Sequence, residues 1–306
     1  MRLLFIFLDG VGLGADLPSN PFVSNPTPGL EYILEGRSLS SAASGFDGLK
    51  ATLLGLDAVL GVSGLPQSAT GQASIFTGSN APAYYGSHAN GFPGAKLREL
   101  LASKGIFREL KRKGFKPSFA NAYRPPFFDL LKRGLPGERY SCSTLAAYYG
   151  GLTFNTFDDL SSGKALFMDI TNELPQKMGY DIPEITPEEG AQRLIKISSQ
   201  YDFTMFEYFL TDLAGHMGEE KEAKRVITIV DRFIGALARG VDTDEMLLLI
   251  TSDHGNIEDL STKEHNLNKV PALLIGDRFV RNSLIPNLSD LTDLMPAVFT
   301  ALDMKG

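Results

Sequence analysis

The chain has 306 residues, with 36 acidic against 29 basic side chains and a formal net charge of −7. That balance excludes a generic basic surface for nucleic acid or anionic membrane, so an anionic ligand needs a local positive site such as bound metal. The single cysteine, Cys142, excludes an internal disulfide and fits a reducing, cytoplasmic setting.

The opening "RLLFIFLDG" carries an apolar run too short for a signal peptide, and an aspartate and glycines follow where a small-residue cleavage site is expected. It predicts a buried strand over 3–8, with Asp9 at its carboxyl end. "GLPQSATGQASIFTG" (64–78) predicts a short helix starting near Ser68, which puts that hydroxyl by free backbone N–H groups at the positive end of a helix dipole. Ser68 is then either a nucleophile, activated by metal coordination, or an N-cap, and Thr70 is the fallback nucleophile. His88, in the glycine-rich "YYGSHANGFP", is either a substrate contact or a surface-loop residue.

"KLRELLASKGIFRELKRKG" (96–114) has helical spacing and closes on Gly114; "PSFANA" (117–122) reads as a strand. Arg124, in "NAYRPPFF", either grips a phosphate with its planar fork or stacks on its aromatic neighbours at the surface. The stretch 124–190 is irregular and rich in Pro, Gly, Tyr and Phe, and reads as a small insertion or cap on a core made of 1–123 and 191–306. "FTMFEYFL" (203–210) predicts a strand; in the "TDLAGH" that follows, Asp212 and His216 are four residues apart and aim at one point. A helix over 219–240 closes on Gly240, and the strand "MLLLIT" (246–251) runs into "SDHGN", with Asp253 and His254. His265 follows in a polar loop, then a strand over 271–276 and a helix over 288–304. No segment approaches the roughly 18 to 20 apolar residues of a membrane span.

This alternation predicts an α/β fold, a mostly parallel sheet flanked by helices on both faces, whose chemistry gathers outside the carboxyl ends of the strands. Asp9, Asp212, His216, Asp253, His254 and His265 all belong to that edge. Carboxylates with neutral imidazoles suit zinc, manganese or iron(II), and six such groups are too many for one tetrahedral ion with an open position. Two divalent ions follow.

The ordered set "FLDG", "PQSATGQ", "TDLAGH", "TSDHGN" and "KEHN" resembles the alkaline phosphatase superfamily, most of all its metalloenzyme branch containing cofactor-independent phosphoglycerate mutase and phosphopentomutase. The similarity covers about 1–123 and 200–306. It implies two-metal phosphoryl transfer through a phosphorylated Ser or Thr, here Ser68. By position, Asp9, Ser68, Asp253 and His254 would hold one ion, Mn2+ or Zn2+, and Asp212, His216 and His265 the other. Many members place His or Arg at the fourth position after the nucleophile; this chain has Gln72, which joins Arg124 and His88 as a candidate substrate contact.

The mutase relatives carry larger inserted segments than 124–190, and a mutase must keep its phosphoenzyme dry. The expected activity is therefore that of a phosphatase or phosphodiesterase on a small phosphorylated metabolite, with a phosphomutase as the alternative and no nucleic-acid or membrane partner. A non-catalytic metal- or phospholigand-binding protein is the reading from another class; a decayed site should have lost ligands, and all seven positions hold competent residues.

Overall fold

The structure, a computed structural model, describes residues 1–135 and 139–304. Its centre is β1 (Arg2–Leu8). Side chains alternate along a strand, so Leu3, Phe5 and Phe7 join one apolar cluster and Leu4, Ile6 and Leu8 the other. A strand apolar on both faces needs helices on both sides. The first cluster takes in side chains of the helices Ser68–Thr77, Ala95–Lys104, Ile106–Arg112, Cys142–Tyr149 and Leu294–Asp303. The second takes in Pro28–Ile33, Pro187–Ser198 and Glu220–Gly240.

The remaining strands are β2 (Phe46–Asp47), β3 (Ala51–Leu56), β4 (Pro117–Phe119), β5 (Phe203–Tyr208), β6 (Met246–Thr251) and β7 (Val270–Ile275), in the sheet order β2-β3-β7-β6-β1-β5-β4. β4, β5, β1 and β6 pair in parallel, as the alternation of strands and helices predicts. The other edge is antiparallel: β7 against β6, β3 against β7, and the β2–β3 hairpin. The buried Arg281 ties that hairpin down, donating to Asp47, to the Thr52 hydroxyl and to the Gly48 and Leu49 carbonyls.

Several predicted elements are shorter or divided. The helix expected over 96–114 is two helices, because Gly105 is extended (φ −61°, ψ 138°) between them. The strand expected over 203–210 stops at Tyr208, where the helix Leu210–Met217 takes over. "PSFANA" pairs regularly only over Pro117–Phe119 and then through single bridges at Asn121 and Ala122. The last helix starts at Leu294 after a 3-10 turn, Leu291–Asp293.

Within 124–190 the chain is more helical than its composition suggests. The helix Cys142–Tyr149 sends Cys142, Leu145, Ala146 and Ala147 into the first core cluster. A separate small cluster joins Ala122, Phe157, Leu160, Ala165, Phe167 and Ile182. Among the described residues no helix is long and apolar enough to cross a membrane.

Candidate metal centre

The candidate ligands gather at one edge of the sheet. Asp9 follows β1, and its backbone N–H still donates to the Tyr208 carbonyl of β5 at 3.0 Å. Asp212 and His216 lie one turn apart on the helix Leu210–Met217, so both project from one face. Asp253 and His254 follow β6. His265 reaches the same edge because β7 is antiparallel: its first residues lie beside the last residues of β6, and the loop before it returns to the parallel strands' carboxyl ends.

The backbone is shaped to let these pieces meet. Gly10 has φ +68°, and a Cβ there would lie 2.6 Å from Asp212 Oδ1 and 2.9 Å from its Cα. Gly71 lets the helix Ser68–Thr77 close on the β6 turn; a Cβ there would lie 2.8 Å from the Asp253 carbonyl oxygen.

The result is two overlapping groups. Asp212, His216 and His265 present ligand atoms within 4.8 Å of one another, and so do Asp9, Asp212 and His254. Asp212 belongs to both. Asp253 adjoins the second group, its Oδ2 3.6 Å from His254 Nε2 and its Oδ1 accepting from Gly10 N–H at 3.3 Å. Ser68 Oγ is 3.0 Å from His254 Nε2, which is itself 3.4 Å from Asp9 Oδ1.

The protonation pattern fits cations. The Nδ1 atoms of His216 and His265 face the Lys263 and Pro66 carbonyls at 2.6 and 2.9 Å. A carbonyl only accepts, so each Nδ1 carries a proton, which leaves each Nε2 as the atom that can offer a lone pair to a cation. Those two Nε2 atoms are 3.2 Å apart, with Asp212 oxygens 3.3 and 3.5 Å away. Facing lone pairs beside a carboxylate call for a positive charge between them. In the other group Asp9 Oδ1 is buried without a hydrogen-bond partner. Burial, then the Asp253 and Asp212 charges, push the Asp9 carboxyl well above the usual carboxylate range. Burial also works against the Asp212 charge, but without metal a hydrogen bond from His265 and the charges of His254 and His216, when those rings are protonated, together with the Asn256 amide, hold that carboxyl at about 2.

Ser68 is the first residue of its helix; the N-cap position belongs to Gln67, so the N-cap alternative for Ser68 does not hold. Thr70 is turned away, its hydroxyl donating to the Gln67 carbonyl at 3.2 Å and accepting from Ala89 N–H at 3.2 Å. Gln72 sits behind the ligands, its amide donating to Asp9 Oδ2 at 3.3 Å and Asp253 Oδ2 at 3.1 Å. It thus bridges two acidic side chains as well as lining the cavity over Ser68. His88 stands apart from the cluster, with Nε2 3.1 Å from the Val62 carbonyl. Arg124 is exposed and lines a neighbouring cavity.

Three supporting residues escaped the sequence reading. Asn256 donates to Asp212 Oδ1 at 2.8 Å. Glu258 accepts from Gly12 N–H, Asn256 N–H, Asn266 and Asn268, and so fixes the loop that carries His265. Glu207, buried in β5, accepts from the Ser143 hydroxyl. The signals were present: Asn256 directly after "SDHG" and Glu258 two positions on, and one charge inside the apolar run "FTMFEYFL".

Residues 156–305 match the model of the Metalloenzyme superfamily. The 2,3-bisphosphoglycerate-independent phosphoglycerate mutase of Myxococcus xanthus is 35% identical over 129 residues, 39% of this chain and 25% of that protein. The protein of the same name from Antithamnion sp. is 30% identical over 143 residues, 43% of this chain and 28% of that protein. The chain thus spans about a quarter of the length of the curated relatives it matches. Among solved structures, the PH0037 protein from Pyrococcus horikoshii superposes with a TM-score of 0.61 at 16% identity, over 100% of this chain and 97% of that one. The alkaline phosphatase from the Antarctic bacterium TAB5 gives 0.56 at 11% identity, over 100% and 99%. The C-terminal part of the chain, 156–305, thus resembles the Metalloenzyme superfamily, and the whole chain shares its fold with the alkaline phosphatase.

Proposed function

We propose that this protein is a metal-dependent phosphoryl-transfer enzyme that takes a phosphoryl group from a small phosphate ester onto Ser68. The observation that carries the reading is the Ser68 hydroxyl, 3.0 Å from His254 Nε2, beside two ligand groups that share Asp212. Asp9, Asp253 and His254, with Ser68 itself, would hold one divalent ion, manganese or zinc, and Asp212, His216 and His265 the other. Ions bound there supply the charge that lowers the serine pKa and balances the phosphoryl oxygens.

Ser68 Oγ attacks phosphorus in line with the departing alcohol: the Oγ–P bond forms, the ester P–O bond breaks, and the serine proton passes to solvent or to the leaving alkoxide. The start of the Ser68–Thr77 helix, where Gln67 makes no side-chain cap hydrogen bond, faces the same end and favours an anion there. Gln72 keeps Asp9 and Asp253 in place through both of its amide hydrogens. Asn256 and the Lys263 and Pro66 carbonyls orient Asp212, His216 and His265.

Water then attacks the phosphoserine, which releases inorganic phosphate and restores Ser68. What supports hydrolysis is the setting: the cavity lined by Asp9, Ser68 and Asp212 adjoins a second one, and the helix Cys142–Tyr149 is packed into the core. Return of the phosphoryl group to another hydroxyl of the same substrate is the second reading, and the curated relatives, named as phosphoglycerate mutases, favour it. The two share every step up to the phosphoserine. Phosphorus NMR of the manganese-loaded enzyme with 3-phosphoglycerate, 2-phosphoglycerate and ribose 1-phosphate separates them. Free phosphate supports hydrolysis; isomerised ester with little free phosphate overturns it in favour of the mutase.

A further inference from the structure

The cavity of about 410 Å³ lined by Asp9, Ser68 and Asp212 shares Phe92, Ser141, Met168 and Phe209 with a second cavity of about 360 Å³. The second cavity holds none of the metal-ligand candidates. One wall is aromatic, where Tyr123 and Phe127 stack with centroids 4.1 Å apart at 28°, and Arg124 and Arg139 also line the cavity. Glu207, 1% exposed, is also among the residues lining it. One oxygen of Glu207 accepts from Ser143, and the other, Oε1, is buried with no hydrogen-bond partner.

These features constrain the occupant. A sugar phosphate or phosphoglycerate would engage the Arg124 and Arg139 guanidiniums at the rim but leave the stacked aromatic wall without a partner. A plain hydrocarbon would leave the buried Glu207 oxygen unpaired. A nucleobase meets both conditions, with flat faces that stack on aromatic rings and an edge of donors and acceptors.

We propose that the second cavity is a leaving-group subsite for a nucleoside, whose base packs against the Tyr123–Phe127 wall and hydrogen-bonds Glu207 while its phosphate lies at Ser68. The substrate class is then a nucleoside phosphate ester. This deepens the phosphoryl-transfer reading and rests on it for the position of the phosphate. Phe92, half exposed and common to both cavities, forms the neck between base and phosphate.

The test uses the full chain with excess manganese and two ligands with the same reacting group, adenosine 5′-monophosphate and ribose 5-phosphate. Binding is measured calorimetrically on Ser68→Ala, so that turnover does not enter. The nucleotide is expected to bind roughly tenfold or more tightly than the sugar phosphate, the scale of one base stacked on an aromatic side chain. Adding Phe127→Ala, or separately the folding-neutral Phe92→Ala at the exposed neck, should bring the two dissociation constants together. Equal binding of both ligands to Ser68→Ala, or a nucleotide preference that survives both aromatic substitutions, overturns the proposal. Discrimination by Ser68→Ala without turnover of either ester by the wild type would support the subsite and remove the phosphoryl-transfer reading.

Discussion

Asp212 is the one side chain common to both ligand groups, so removing its charge should loosen both ions together. Asp212→Asn preserves shape and volume and deletes one negative charge. A unit charge about 4 Å from another is worth about 4 kcal/mol at an effective dielectric of about 20. The side chain is 15% exposed, and solvent screening reduces that figure. Discounting to between about 2 and 4 kcal/mol gives roughly a 30- to 1,000-fold loss of affinity for each ion. His216→Ala, in contrast, removes a ligand from one group only. Manganese titration by calorimetry, with elemental analysis after gel filtration, reads the difference. The wild type should retain two ions, His216→Ala one, and Asp212→Asn fewer than one. An Asp212→Asn protein that keeps one ion at wild-type affinity would refute the sharing of this carboxylate.

Ser68→Ala should abolish turnover of an aryl phosphate and keep most of the bound metal, whereas Thr70→Ala, whose hydroxyl serves Gln67 and Ala89, should keep most of the activity; steady-state rates beside metal content decide it. Gly71→Ala places a Cβ 2.8 Å from the Asp253 carbonyl oxygen, so the helix must shift. A cost of about 1–3 kcal/mol and weakened metal binding are expected, and an unchanged melting temperature would contradict the packing. In the metal-free protein the Asp9 carboxyl is held above its unfolded value by burial and by Asp253 and Asp212. A raised acid pKa contributes stability that is present below about 3.9 and is lost as pH rises through the folded value. Metal-free wild type should therefore lose stability above about pH 4 more steeply than metal-free Asp9→Asn, and added manganese should remove the difference; equal slopes in denaturant titrations count against it.

The parallel centre of the fold was legible because β1, β5 and β6 are near-continuous apolar runs of strand length, buried on both faces. That also exposed the ligands, since each run ends on an acid that packing does not need. Strand direction was not legible: a buried run reads alike in both senses, so β7 is antiparallel without any mark in "PALLIG". The β2–β3 hairpin was missed because β2 is two residues long and is held by Arg281, more than 200 positions away. Gly105 lay within an otherwise helical period, which hid its role as a break. The helix Cys142–Tyr149 was hidden by tyrosines that suggested a loose cap. Glu258 and Asn256 act only through other ligands, and a single sequence does not show whom a polar loop residue faces.

Phosphorylation of Ser68 is the step on which the proposed chemistry depends. Manganese-loaded enzyme mixed with a phosphate ester, quenched in acid within one turnover and digested for mass spectrometry, tests it directly. One phosphopeptide carrying the group on Ser68 is expected, absent without metal and absent in Ser68→Ala. Phosphate on Thr70, or turnover by Ser68→Ala at the wild-type rate, would contradict it.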